Sequence, residues 1–278
     1  MAKRKRKTQK ASTKKRLSRW QVFFLGVFVG TGLFWLPEGN DFAPAQFSRS
    51  EWTTNNSPSV FANHLPTTTP LIEREGLVIS YDGRTRNPYW VYHKLTSETL
   101  DANTSRADCD FKEDPLIPKA IRATKSDYHG SGFDRGHLCP AADTLSQKTM
   151  QETFLLSNIA PQFPAFNRGY WKKVENHIRS LTKEYRVVHV FSGPLYLSTK
   201  GRDGKRYVKY QVIGSHNIAV PTHFFALLFV EHPSNKMMTK AFILPNKSID
   251  AKTPLKKYSA TVEEVEIASG VLFTKILE

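Results

Sequence analysis

The feature that most constrains the fold is the short sequence Asp134-Arg135-Gly136-His137. In an extended strand, side chains two positions apart point to the same face, so Arg135 and His137 would look into one pocket. Gly136 has no side chain and allows another backbone or a ligand to approach closely. An arginine binds phosphate through its fork of donors, and a neutral histidine accepts a proton near pH 7. The pattern predicts a strand that carries a site for phosphodiester cleavage; an Asp134–Arg135 surface pair beside a structural histidine is the alternative.

A second group of candidates lies on a helix predicted from about residue 167 to 185, whose apolar residues recur at spacings of three and four. Asn167 and Glu175 are eight residues apart, which is about 80° around a helix, so both can face the same side. Asn167 could simply cap the helix and Glu175 could be an exposed charge. In the functional alternative, Asn167 offers a neutral oxygen to Mg²⁺ and Glu175 holds a water of the ion's shell, since Mg²⁺ takes few protein ligands.

The net charge of +15 is unevenly distributed along the chain. Residues 1–19 contain ten lysines and arginines and no acidic residue, so only +5 remains for the rest. We interpret this segment as a solvated basic tail on the cytoplasmic side of a membrane. The overall charge is therefore weak evidence for a nucleic-acid surface.

Residues 20–36 are apolar except for Gln21 and Thr31, and as a helix they would span about 25 Å, at the short end of what crosses a bilayer. Trp20 and Trp35 lie near the two ends, where membrane interfaces favour tryptophan. We predict a single-pass transmembrane signal anchor that places the rest of the chain on the non-cytoplasmic side, periplasmic or extracellular. A cleaved signal peptide, which gives a secreted protein, and a mitochondrial presequence are the alternatives.

The chain after the apolar segment divides into a linker and one large domain. Residues 37–70 hold five prolines among Asn, Ser and Thr, which predicts a flexible linker. The globular domain is predicted over residues 71–278, with a second, short helix at 262–269 capped by Gly270. Strands are predicted at 77–81, 89–95, 153–160, 187–192, 207–213, 223–230 and 241–244. This pattern is typical of an α+β domain with a mostly antiparallel sheet.

Cys109 and Cys139 are the only cysteines, too few for a four-ligand metal framework. They could form one disulfide in an oxidising compartment or remain separate thiols. Cys139 follows His137 by two residues, which raises the question of a redox-sensitive site, whereas a buried thiol there would be inert.

Three segments together resemble the DNA/RNA non-specific endonucleases, most closely the mitochondrial endonuclease G branch. They are Tyr128-His-Gly-Ser-Gly-Phe-Asp-Arg-Gly-His137, Leu156-Ser-Asn-Ile-Ala-Pro-Gln162, and Asn167-Arg-Gly-Tyr-Trp171 with Glu175. The likeness extends over about residues 75–278 and does not cover the tail, the apolar segment or the linker. It implies a ββα-metal nuclease fold, in which a hairpin carries His137 and a crossing helix carries Asn167.

The resemblance also implies a role for each of three central residues. His137 would be the general base that removes a proton from the attacking water. Asn167 would be the metal ligand, and Glu175 would hold a water of the metal's shell. The implied cofactor is Mg²⁺ or Mn²⁺.

Three further residues match the family pattern around the phosphate. Arg135 would contact the substrate phosphate and stabilise the transition state. Asn158 and Arg106 would support the site or touch phosphate. The family likeness also implies a homodimer, and products that carry 5′-phosphate and 3′-hydroxyl ends.

No zinc-finger or helix-turn-helix pattern is present, and contacts to phosphate and sugar carry no sequence information. We therefore predict a metal-dependent, sugar-non-specific endonuclease that acts on DNA and RNA and is tethered to a membrane through residues 20–36. The rival function is a membrane-tethered nucleic-acid receptor or DNA-uptake protein with weak or no cleavage; the presence of both His137 and Asn167 argues against it. A third alternative is an organelle nuclease that is released during cell death after its tail is cleaved.

Overall fold

The computed structural model describes residues 71–100, 104–234 and 236–276. Three predicted segments lie outside these residues: the basic tail (1–19), the apolar segment with its membrane anchor (20–36), and the linker (37–70). Within the described part of the chain, no helix combines the length and the apolar character needed to cross a membrane. The domain boundary at residue 71 stays a prediction.

The described residues form thirteen strands and five α-helices. The strands are β1 (Leu71–Glu73), β2 (Val78–Asp82), β3 (Asn87–Leu95), β4 (Asp134–His137), β5 (Ile159–Gln162), β6 (Val187–Leu195), β7 (Thr199–Lys200), β8 (Arg206–Tyr207), β9 (Val212–Ile213), β10 (Ile218–Ala219), β11 (His223–Glu231), β12 (Met237–Pro245) and β13 (Ser259–Ala260). The α-helices are α1 (Ser97–Leu100), α2 (Lys125–Tyr128), α3 (Gln147–Thr153), α4 (Lys172–Ser180) and α5 (Val262–Ser269). A π-helical segment, Phe166–Trp171, leads into α4, and short 3₁₀ turns lie at Ala141–Asp143, Leu156–Asn158, Leu181–Lys183, Leu255–Tyr258 and Thr274–Ile276.

Seven of the strands form one antiparallel sheet in the order β1-β2-β3-β6-β11-β12-β13. At its centre β6 and β11 pair along their whole length, from His223 opposite Leu195 to Glu231 opposite Val187. Seven consecutive residues of β11, Phe224 to Val230, are apolar and buried, which is typical of a strand covered on both faces. The predicted α+β class with a mostly antiparallel sheet is confirmed.

Each face of the sheet has its own hydrophobic core. On one face, α4 contributes Val174 and Ile178, two residues of the predicted apolar stripe. On the other face lie α5 and the segment after it, through Val265 and Phe273. Gly270 ends α5 with a φ of +73°, a left-handed conformation that favours glycine, as the sequence predicted. The first core fixes α4, which carries Glu175 and continues the π-helical segment that carries Asn167.

A smaller ββα unit lies beside the large sheet. β4 pairs antiparallel with β5, from Asp134 opposite Gln162 to His137 opposite Ile159. The π-helical segment and α4 follow β5 directly. Strand β4 therefore carries His137 and the crossing helix carries Asn167, in the arrangement that the resemblance implies.

Gly136 occupies a tight position in this unit. The buried side chain of Gln162 lies over it, and a Cβ at residue 136 would overlap the Cδ atom of Gln162. The glycine of the sequence motif is therefore required by its neighbour on β5.

The predicted strand at 153–160 is only partly correct. Thr153 ends α3, a 3₁₀ turn follows at Leu156–Asn158, and β5 begins only at Ile159. The Nδ2 of Asn158 donates a hydrogen bond to the Thr153 carbonyl (2.8 Å). Polar side chains that bond the nearby backbone compete with a strand ladder, which explains the turn.

The predicted half-buried strand at 207–213 is wrong. Only Tyr207 and Val212–Ile213 have strand geometry, and they belong to two different short hairpins. Between them Val208 is 50% exposed. Alternating apolar and polar residues suit a protruding ribbon as well as a sheet strand, so periodicity alone could not distinguish the two.

The two cysteines do not pair. Cys109 is half-buried and Cys139 is buried, and both are free thiols. Burial raises the pKa of the Cys139 thiol well above its usual value, and the charges of Asp143 and Glu175 add to that effect. A thiol that stays protonated is a poor nucleophile, so the structure favours an inert thiol beside the site.

Candidate active site

A cleft of about 410 Å³ lies beside β4 and the beginning of α4. Its wall contains five of the six predicted site residues: Arg106, Arg135, His137, Asn167 and Glu175. Three cationic side chains that the sequence analysis missed line the same cleft: Arg168, Lys172 and Arg179. The segment Pro140–Ala142 completes the wall.

The missed cations follow a helical period. Arg168, Lys172, Glu175 and Arg179 are spaced four, three and four residues apart, which places them on one face of a helix. The same reasoning that identified the apolar stripe could have identified this polar stripe.

Aromatic rings surround the reactive side chains. The His137 ring lies 5.3 Å from the Phe111 ring and 4.8 Å from the Phe154 ring, between centroids. The Arg135 guanidinium lies over Phe111 at 5.1 Å, and the Arg106 guanidinium lies over Phe154 at 5.2 Å. Cation–π contacts of this kind stabilise the position of an arginine. Two phenylalanines therefore hold three of the predicted site residues.

His137 is neutral at physiological pH. Its side chain is buried, and this burial, with the positive charge of Arg106, lowers its pKa from 6.5 to about 3. The Nε2 atom is buried without a hydrogen-bond partner among the described residues. A neutral imidazole in the wall of a cleft that also contains arginines has the protonation state that a general base needs.

The shifted pKa of His137 predicts a pH effect on stability. In the unfolded chain His137 binds a proton below about pH 6.5, whereas the folded protein resists protonation down to about pH 3. Its contribution to the free energy of unfolding is therefore complete above pH 6.5 and is lost as the pH falls towards 3. We expect the free energy of unfolding, measured with urea, to fall as the pH is lowered through this range. The fall should be steeper for wild type than for His137→Asn, by up to about 1.4 kcal/mol per pH unit. Parallel curves for the two proteins would contradict the burial of a neutral His137.

Asn167 is oriented by Asp134, the first residue of the motif. The Asn167 Nδ2 donates to Asp134 Oδ2 (2.9 Å). Arg168 donates to both oxygens of the same carboxylate, from Nε (2.8 Å) and Nη2 (2.6 Å). Asp134 therefore pairs with Arg168, and the alternative of an Asp134–Arg135 surface pair is wrong. Asn167 lies inside the π-helical segment, whose N-cap is Ala165, so the alternative that Asn167 caps the helix is also wrong.

The amide and carboxylate oxygens of the cleft fit a divalent cation. A carboxylate only accepts, so Asp134 accepts from the amide nitrogen of Asn167, and the Oδ1 of Asn167 has no donor among the described residues. The Glu175 carboxylate likewise has no hydrogen bond or ion pair with a described residue, and burial, helped by Asp143, raises its pKa to about 8. Neutral and anionic oxygens are the ligands that Mg²⁺ prefers, and the positive charge of a bound ion would favour the ionised form of Glu175. Among the described residues there is no cluster of three His, Cys, Asp or Glu side chains that could hold an ion without them.

The cleft is strongly cationic. Five basic side chains (Arg106, Arg135, Arg168, Lys172 and Arg179) face one carboxylate, Glu175. A concave surface lined with one sign of charge concentrates ligands of the opposite sign. Phosphodiesters are the ligands that this charge and the arginine forks suit.

Asn158, the sixth predicted site residue, does not line the cleft. It is fully buried, its Nδ2 donates to the carbonyls of Cys139 (2.9 Å) and Thr153 (2.8 Å), and its Oδ1 accepts from the Cys139 backbone N–H (2.9 Å). The structure thus places it behind β4, where it holds the backbone just after His137.

A family model for DNA/RNA non-specific endonucleases matches residues 56–277. The chain belongs to this family, and it is a nuclease, a hydrolase of nucleic acids.

Individual relatives agree with this assignment. Human mitochondrial endonuclease G is 46% identical over 210 residues, which are 75% of this chain and 71% of that protein. The mitochondrial nuclease of Saccharomyces cerevisiae is 38% identical over 272 residues, which cover 89% of this chain and 82% of the yeast protein. A crystal structure of the EndoG/EndoGI complex, concerned with the mechanism of EndoG inhibition, contains a chain that is 40% identical and matches with a TM-score of 0.77, over 80% of this chain and 94% of that one. The predicted resemblance to the endonuclease G branch is confirmed.

Proposed function

We propose that this protein is a Mg²⁺-dependent endonuclease that hydrolyses DNA and RNA alike and leaves 5′-phosphate ends. One observation carries the proposal: a single cleft brings a neutral His137 together with five cationic side chains and the free oxygens of Asn167 and Glu175. Each of these groups has a task in phosphodiester hydrolysis.

The side chains divide the chemistry among them. His137 accepts a proton from water as the water attacks phosphorus, which is worth about 10²–10⁴ in rate. Arg135 donates hydrogen bonds to the phosphate as the negative charge on the phosphate increases in the transition state. Arg106, which stacks on Phe154, does the same. Asn167 and Glu175 would hold the divalent cation, which when bound offsets negative charge on the phosphate and on the leaving 3′ oxygen. Asn158 keeps the backbone after His137 in place.

Weak base preference follows from the same groups. The cleft offers arginines, a lysine and a histidine, which suit phosphate oxygens. We therefore propose that the enzyme cuts both sugars with little regard to sequence. Cleavage confined to one sequence would contradict this part.

A direct test uses the full-length protein with supercoiled plasmid and with single-stranded RNA. In Mg²⁺ we expect both substrates to be cut, and in EDTA we expect no cutting; added Mn²⁺ should restore it. End-labelling should find 5′-phosphates. Binding without cleavage in any divalent ion would support the nucleic-acid receptor and contradict the enzymatic proposal.

We also propose that the enzyme is a homodimer, as the family resemblance implies. The ribbon that contains Tyr207, Val208, Tyr210 and Val212 exposes between 37% and 50% of each of these side chains, an apolar surface that a second copy could cover. Light scattering should give twice the chain mass, and a monomer at micromolar concentration would contradict the proposal.

The place where the enzyme acts depends on residues 1–70. A membrane anchor at 20–36 would leave the nuclease on the non-cytoplasmic side, whereas a presequence would direct it to mitochondria. The mitochondrial names of the human and yeast relatives favour the second location. Sequencing the N-terminus of the mature protein separates the two: an intact basic tail in the membrane fraction supports the anchor, and an N-terminus beyond residue 36 supports cleavage.

A further inference from the structure

A buried carboxylate lies behind the wall of the catalytic cleft. Asp143 ends the 3₁₀ turn Ala141–Asp143, and the residues before it, Pro140–Ala142, face the cleft. The Asp143 side chain itself is only 2% exposed. A charged group in such a place needs partners, and these partners indicate its task.

Asp143 joins the cleft to the central sheet. Its Oδ1 accepts a hydrogen bond from Arg179 Nη1 (2.7 Å). Its Oδ2 lies 3.3 Å from the Nε2 of His93, which is 1% exposed and belongs to strand β3. The carboxylate thus stands between a rigid strand and an arginine of α4.

Arg179 has donors left for a ligand. Its guanidinium carries five N–H groups. Asp143 takes one, and the Oδ1 of Asn176 takes another from Nη2 (2.7 Å). The others have no acceptor among the residues that the structure describes, and the side chain lines the catalytic cleft. Two neighbours therefore fix the plane of the fork, and the remaining donors are available for phosphate oxygens.

We propose that Asp143 is a positioning residue that holds the Arg179 guanidinium ready for a substrate phosphate, with His93 bracing the carboxylate from the sheet. The proposal rests on the nuclease function proposed above and adds a substrate-binding pair to it. An arginine whose guanidinium is already fixed loses less side-chain entropy when the phosphate binds, so the affinity for the substrate increases. In this proposal Arg179 contacts a phosphate that flanks the one being cut. Such a contact stabilises the ground state and the transition state equally.

The test is steady-state cleavage of a labelled duplex at saturating Mg²⁺ by wild type, Asp143→Asn, Arg179→Ala and the double variant. We expect Asp143→Asn to raise KM about tenfold with kcat within about twofold, because uniform binding is lost. Arg179→Ala should raise KM at least as much. The KM of the double variant should match that of Arg179→Ala within about twofold, because Asp143 affects phosphate binding through that arginine.

The matched control is Asp114→Asn. Asp114 is as deeply buried (1% exposed) and is paired with Arg74 at 2.7 Å, but it does not line the cleft. We expect it to lower the melting temperature and leave KM unchanged. If Asp143→Asn does not fold, His93→Leu leaves Asp143 in place without its brace, and KM should rise about threefold.

The outcomes separate the two proposals. A wild type that does not cleave contradicts the nuclease function itself. If wild type cleaves and Asp143→Asn loses only folded protein, with KM unchanged, Asp143 is structural and the positioning role is wrong. Additive increases in KM in the double variant would also overturn the role through Arg179.

Discussion

Replacing His137 with alanine is expected to reduce kcat for plasmid cleavage about 10²–10⁴-fold, because the variant lacks the only imidazole among the described residues of the cleft wall. Binding should change little, since the five cationic side chains of the cleft remain. The measurement is a pair of assays on the same preparation: nicking of plasmid in Mg²⁺, and filter binding of the same DNA in EDTA.

Two controls sharpen this prediction. His129 is exposed, lies eight residues earlier and does not line the cleft, so His129→Ala should cleave like wild type. Free imidazole added to His137→Ala should restore part of the activity, because a small base can enter the space that the side chain leaves. Near-normal turnover by His137→Ala without imidazole would remove His137 from the mechanism.

The second large effect is expected for Asn167→Ala. This change removes the Oδ1 of a side chain that lines the cleft, while the fold should survive because Asn167 is only half-buried. We expect cleavage to fall at least 10²-fold at millimolar Mg²⁺, with partial recovery at much higher concentrations, because the ion loses a ligand. The measurement is the Mg²⁺ concentration that gives half-maximal cleavage.

Asp134→Asn is the informative companion to that variant. It keeps the size of the side chain but loses the carboxylate that holds both Asn167 and Arg168. Changes to residues that orient a metal ligand commonly cost 10–100-fold in metal affinity or activity, so we expect an intermediate shift. If Asn167→Ala lowered the melting temperature and left the Mg²⁺ requirement unaltered, Asn167 would be a structural residue only.

Local patterns were enough to predict much of the site. The spacing of Arg135 and His137 predicted one strand and one pocket, and the period of the α4 region predicted its buried face. Those inferences succeed because side-chain direction in strands and helices depends on position alone. Asn167 and Glu175 reach the same cleft for the same reason.

The contacts that prepare the site were not predictable in this way. Asp134 finds Arg168, and Asp143 finds both His93 and Arg179, across 34, 50 and 36 positions of sequence. Such pairs depend on how the hairpin, the sheet and the helix pack against one another, and a local sequence period carries no information about that packing. The strand prediction at 207–213 failed for the opposite reason. Apolar and polar residues alternate there, but the apolar side chains stay largely exposed.

The close fit between Gly136 and Gln162 constrains how this motif can change in evolution. A side chain at 136 cannot be accepted while the glutamine fills that space. Gln162 is fully buried, so it has no room to turn aside. The order of mutations is therefore fixed: residue 162 must first become smaller, and only then can position 136 leave glycine. A smaller residue at 162 would by itself leave a void beside β4, the strand that carries His137. Lineages that keep the enzyme will therefore rarely replace Gly136.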